Sequence, residues 1–136
     1  MTSVCVLSMS KIGNQLFQLI FSASSCGNGG IKLWDIDSGV CVGNMVGHIA
    51  EIWALCPITS VALGEEEPFI KYLASGGADK SVRIWNYERL TCEMTFFGHF
   101  DMVRCLKSID DLELIASGSA DYKIKIWNLK TKKIVS

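Results

Sequence analysis

Apolar residues fall along this chain in short runs separated by Gly, Asn, Asp and Ser. Residues 4–9, 19–24, 31–35 and 40–46 are rich in Val, Ile, Leu and aromatic side chains. The same is true of 52–56, 71–75, 82–86 and 91–97, and of 102–108, 114–117, 123–128 and 132–135. Short β-branched and aromatic runs bounded by turn residues predict strands. No stretch keeps the length and period of an amphipathic helix. The pattern therefore predicts an all-β chain of twelve strands in three sets of four.

The sets repeat in sequence as well as in pattern. ASGGADKSVRIWN at 74–86 and ASGSADYKIKIWN at 116–128 align without gaps, with eight of 13 positions identical. ASSCGNGGIKLWD at 23–35 follows the same register. A Gly-His pair ends at His48 and again at His99, 51 residues apart. Trp34 and Trp85 are also 51 apart, and Trp85 and Trp127 are 42 apart. The nine-residue excess lies between Cys56 and Lys71, around the acidic stretch Glu65-Glu66-Glu67. The units are thus expected at 1–46, 47–97 with an acidic loop at 60–70, and 98–136.

A period near 42 with an early Gly-His and a late Trp-Asp, Trp-Asn and Trp-Asn resembles the WD-repeat family of β-propellers. The resemblance covers nearly the whole chain. It implies three four-stranded antiparallel blades, an open arc of a propeller. Closed propellers have about 4–8 blades, so the chain is expected to be part of a longer, seven-bladed protein. The alternative is self-association into a ring.

The resemblance also implies a hydrogen-bonded tetrad in each blade. In the second blade its members would be His48, Ser75, Asp79 and Trp85, and in the third His99, Ser117, Asp121 and Trp127. Such groups are satisfiable together, since Asp accepts, Trp donates and Ser and His do both. His48 with Asp79 and Ser75 could pass for a catalytic triad, as could the set at His99. Recurrence once per blade argues for a structural role instead. The first blade departs from the pattern: Ser24 and Trp34 match, Asn28 stands at the Asp position, and no Gly-His precedes them.

Composition adds limits. Hydrophobic residues make up 49% and charged residues 20% of the 136, which predicts a folded core. The formal net charge of −1 gives no global field for nucleic acid or an anionic membrane. Residues 16–24 loosely resemble a signal peptide, but Gln18 interrupts them and the strand reading accounts for them better. The six cysteines include no CxxC pair and only two histidines accompany them, so no metal site and no cofactor is expected. They are expected to be reduced and mostly buried, in the cytoplasm or nucleus.

By resemblance, partners would bind the face that carries the third and fifth residues after each Gly-His and the residue before each turn Asp. These are Glu51, Trp53 and Ala78 in the second blade, and Met102, Arg104 and Ala120 in the third. Aligning Val4 with Ile52 gives Ser3, Cys5 and Gly27 in the first. Trp and Arg are the side chains richest in binding energy at interfaces. The expected function is a non-catalytic protein-interaction scaffold, with substrate recognition in a ubiquitin-ligase complex as one form of it. A nucleic-acid-associated factor and, last, a propeller hydrolase are the rivals. The first lacks a basic face and the second lacks a spare histidine, an HExxH or a ligand cluster.

Overall fold

The computed structural model describes residues 3–12, 15–24, 30–60, 69–109 and 113–135. Among the described residues twelve strands run in chain order: β1 (Ser3–Ile12), β2 (Gln15–Ser24), β3 (Gly30–Asp35), β4 (Cys41–Val46), β5 (Ile52–Ser60) and β6 (Phe69–Gly77), then β7 (Val82–Asn86), β8 (Thr91–Phe96), β9 (Val103–Ile109), β10 (Leu114–Ser119), β11 (Ile124–Asn128) and β12 (Lys133–Ile134). They form three antiparallel sheets, β1-β2-β3-β4, β5-β6-β7-β8 and β9-β10-β11-β12. No helix occurs among the described residues. The three sheets are consistent with blades of a propeller arc, as the repeat pattern predicts. The first strands β1, β5 and β9 lie beside one another across the blade boundaries.

The nine-residue excess in the second unit is partly strand. Ser60 still pairs with Phe69, and Ile58 with Tyr72. Ser60, Phe69 and Ile70, expected within the acidic loop at 60–70, are therefore strand residues. Glu65, Glu66 and Glu67 lie outside the described residues.

The core sits between blades, and the period-two alternation of strands divides it. One cluster joins Ile31, Leu33 and Met45 of the first blade to Ile52, Leu55, Leu73 and Trp85 of the second. The other joins Ala74, Val82, Ile84 and Phe96 of the second to Val103, Ile115 and Trp127 of the third. Consecutive residues such as Leu73 and Ala74, or Ile84 and Trp85, thus serve opposite interfaces. Each blade has a leading side facing the blade before it and a trailing side facing the blade after it.

The second residue of each late dipeptide closes the turn between third and fourth strands. Asn86 Oδ1 accepts from the backbone N–H groups of Glu88 and Arg89, and Asn128 Oδ1 from those of Lys130 and Thr131. Asp35 Oδ1 accepts likewise from Asp37. This turn needs only a side-chain carbonyl or carboxylate oxygen two residues upstream. Asn can therefore replace Asp there.

Buried tetrads and a candidate interaction face

The glycine of each Gly-His is set by close approach. A Cβ on Gly47 would come within 2.7 Å of the Trp85 ring, and one on Gly98 within 2.9 Å of the Trp127 ring. The bare backbone lets the following histidine reach across the blade.

His48 Nδ1 lies 2.7 Å from Asp79 Oδ2, and its Nε2 contacts Ser75 Oγ. Trp85 Nε1 donates to the same Ser75 Oγ at 2.7 Å. The third blade repeats the set: His99 Nδ1 to Asp121 at 2.8 Å, His99 Nε2 to Ser117 Oγ at 2.7 Å, and Trp127 Nε1 to Ser117 Oγ at 2.8 Å. One proton order satisfies every member. Trp donates to Ser, Ser donates to the bare Nε2, and the Nδ1–H donates to Asp. Each carboxylate also holds its own turn: Asp79 accepts from the Ser81 backbone and hydroxyl, and Asp121 from the Lys123 backbone. Lys80 and Tyr122, next to them, take left-handed φ values of 69° and 67° that this turn requires.

Burial alone would raise the Asp79 carboxyl, but hydrogen bonds from His48 and Ser81 hold it well below the usual carboxylate range. For Asp121, burial is likewise outweighed, by the Phe100 N–H, His99 and the Lys123 N–H. Both histidine side chains are 0% exposed. Their two ring nitrogens are occupied and no substrate atom can reach them, so the triad-like sets have no open side for chemistry. Among the described residues, no group of three or more His, Cys, Asp or Glu is placed to hold a metal.

The first blade corrects the sequence alignment. Trp34 Nε1 donates to Ser22 Oγ at 2.8 Å, not to Ser24. Ser22 pairs with Lys32 as Ser75 pairs with Arg83 and Ser117 with Lys125. Ser24 pairs with Ser3, at the strand end. The connection from serine to tryptophan is two residues longer in the first blade, which an ungapped match cannot register. Asn28 and Gly27 lie outside the described residues.

Trp53 and Arg104 stand at matched irregularities. Ile52 pairs with Gly77 and Ala54 with Gly76, leaving Trp53 as the extra residue of a bulge. Val103 pairs with Ser119 and Cys105 with Gly118, leaving Arg104 in the same place. A bulge turns the extra side chain out of the alternation. The Arg104 guanidinium lies 6.0 Å from the centroid of the Trp53 ring, within cation–π range. Arg104 is exposed and Trp53 half-buried. Trp53 Nε1 is buried with no hydrogen-bond partner among the described residues.

The other positions expected on this face join through backbone. The Ala78 N–H donates to the Glu51 carbonyl at 2.8 Å, and the Ala120 N–H to the Met102 carbonyl at 3.0 Å. These bonds clamp the loop before each first strand to the turn after each second strand. Cys5 is a second correction: it pairs with Ser22, level with Leu55 and Leu106 rather than with Trp53 and Arg104. The described pairing of β1 with β2 contains no bulge. The repeat pattern shows which residues follow a Gly-His, but a bulge leaves no mark in it. One feature has no counterpart in the repeat pattern. An apolar cavity of about 250 Å³ lies between the second and third blades, lined by Ile58, Tyr72, Ile84, Met94, Ile109 and Leu114 among others.

Comparison with known proteins agrees with this architecture. The family model described as "WD domain, G-beta repeat" matches residues 39–86 and 90–128. WD repeat-containing protein pop2 of Schizosaccharomyces pombe is 33% identical over 92 residues, covering 68% of this chain and 12% of that protein. A probable E3 ubiquitin ligase complex SCF subunit, sconB, of Talaromyces stipitatus is 32% identical, covering 62% of this chain and 18% of that protein. Human striatin is 36% identical over 69 residues, 51% of this chain and 8% of that protein. The chain thus spans less than a fifth of the length of these relatives.

Proposed function

We propose that this chain, which belongs to the WD-repeat family, is a non-catalytic scaffold that holds protein partners on the face carrying Glu51, Trp53, Met102 and Arg104. The observation that carries the reading is the pair of matched bulges. They bring an indole and a guanidinium together across a blade boundary on a backbone clamped by the Ala78–Glu51 and Ala120–Met102 bonds. A rigid aromatic beside an exposed guanidinium offers apolar area and a fork of donors at little conformational cost. The sealed tetrads support a structural rather than a catalytic role for the histidines. The cytoplasm or nucleus is the setting consistent with free cysteines among the described residues.

Substrate recognition in a ubiquitin-ligase complex is the more specific form of this reading. It draws on the name of the sconB relative and on Arg104 as an exposed cation for an acidic segment.

Affinity capture with the chain as bait tests the proposal. Trp53→Ala and Arg104→Glu should each weaken a captured partner by about 2 kcal/mol or more, roughly thirtyfold. If both variants, folded by circular dichroism, retain every partner at unchanged yield, the face is not the binding site.

A further inference from the structure

The two boundaries between blades are built from matched positions but are filled differently. Tyr87 and Leu129 each follow a late Trp-Asn pair directly. Leu90 and Lys132 lie three residues further on, at left-handed φ values of 58° and 59°. Gly43 pairs with Leu33 as Met94 pairs with Ile84. At the first boundary Tyr87 is 2% exposed, within the cluster that joins the first and second blades. Leu90 packs so closely on Gly43 that a Cβ there would come within 2.8 Å of it. At the second boundary the ring is replaced by half-buried Leu129 and the leucine by exposed Lys132. The cavity of about 250 Å³ lies at this second boundary, with Leu129 and Met94 in its walls.

We propose that this cavity binds one aromatic ring, that of a Tyr or Phe presented by an exposed peptide segment of a partner protein. The occupant follows from the matched position at the first boundary. There the chain itself seats the Tyr87 ring, carried on the turn between β7 and β8. Size agrees: an apolar cavity of about 150 Å³ takes a benzene ring, and this one is larger. The walls suit a ring. Ile58, Ile84 and Leu114 offer aliphatic contact, and Met94 is a flexible thioether that adapts to an aromatic neighbour. Glu113 and Lys130, both exposed, bring one charge of each sign to the lining. Their fields offset, which favours a neutral ring on an uncharged stretch of peptide over an anion or a cation. The Leu129 N–H donates to the Glu113 carbonyl at 2.9 Å, which braces that wall. Ile58 and Ile109 lie near the ends of β5 and β9, whereas Trp53 and Arg104 lie near their starts. The site is therefore separate from the partner face and stands without it.

Methyl NMR of the full chain, titrated with a capped Gly-Ser-Tyr-Ser-Gly peptide, tests the proposal. Saturable shifts are expected at the methyls of Ile84, Met94, Leu114 and Leu129. The same peptide with alanine in place of its tyrosine should give none. Leu129→Tyr puts the first boundary's own residue into the second. It should abolish the shifts and raise the thermal midpoint. Should that variant not fold, Leu114→Phe narrows the cavity from another wall and should weaken the tyrosine peptide by roughly tenfold or more. Trp53→Ala should leave the shifts unchanged, so failure of this site and failure of the partner face are read separately. Absence of saturable shifts would overturn the proposal. So would equal binding of the alanine peptide, shifts that persist in folded Leu129→Tyr or Leu114→Phe chains, or shifts that depend on Trp53. Free p-cresol binding where the tyrosine peptide does not would overturn the peptide source and assign the cavity to a small aromatic molecule.

Discussion

The second and third blades carry the same tetrad at nearly the same distances, yet they differ in what surrounds it. In the second blade, β7 is buried on both sides, with Val82, Ile84 and Trp85 all at 0% exposure. In the third, Trp127 is buried at 3% on the leading side while Ile124, on the trailing side, is 74% exposed. The hydrogen-bonded set is therefore local to a blade and forms without a following neighbour. Burial of the third strand is not local; it belongs to the interface between blades. Local wiring sets the shape of each blade, and stacking supplies the apolar burial that stabilises it, as in other repeat proteins.

The largest expected effect breaks the comparison directly. Val82→Glu places a charge in a closed interface and should cost about 4 kcal/mol or more, enough to unfold a marginal chain. Ile124→Glu, at the equivalent position in the third blade, should leave the fold of the single chain intact. Circular dichroism and thermal melts of the two variants check this. Equal losses would mean that the trailing side of the third blade is covered within one chain.

A smaller effect sharpens the likeness. Asp79 and Asp121 are both held below the usual carboxylate range in the folded state. Their unfolded value is about 4. A depressed folded value means that ionisation stabilises the fold above that pH, and that this stability is lost as pH falls from about 4 toward the folded value. Asp79→Asn and Asp121→Asn should each cost about 1–3 kcal/mol near neutrality, through weakened bonds to the histidine and the turn. Each should also flatten the loss of stability in acid. Asp79→Asn should have the larger effect, because Asp79 also binds the Ser81 hydroxyl at 2.7 Å. Urea melts from pH 7 down to 3 measure both. An unchanged acid slope in both variants would remove these carboxylates from the account.

Much of this was legible in the sequence because the repeat carries it. The identical residues at 74–86 and 116–128 place Ser75, Asp79 and Trp85 and their counterparts without any structure. The Gly-His pairs supply the fourth member, and alternation along the strands predicts three sets of four. Legibility ended where the repeat changes length. Ser22 is the tetrad residue of the first blade, and Ser24 took its place in the alignment because two extra residues follow the strand. The bulges at Trp53 and Arg104 were also hidden, since an extra residue in one strand becomes visible only against its partner. Candidate face residues could be named from spacing. Their mutual approach, and the unpartnered Trp53 Nε1, depend on which blade lies beside which.

Hydrogen exchange resolved by strand, on the Ile124→Glu chain, tests the division between local wiring and stacking most directly. Amides of β6 and β7 should exchange slowest. Those of β11 should exchange at least roughly tenfold faster than those of β7, about 1.4 kcal/mol less protection, although both blades hold an intact tetrad. Equal protection of β7 and β11 would contradict the account. It would mean that the tetrad, and not the neighbouring blade, sets the stability of each sheet.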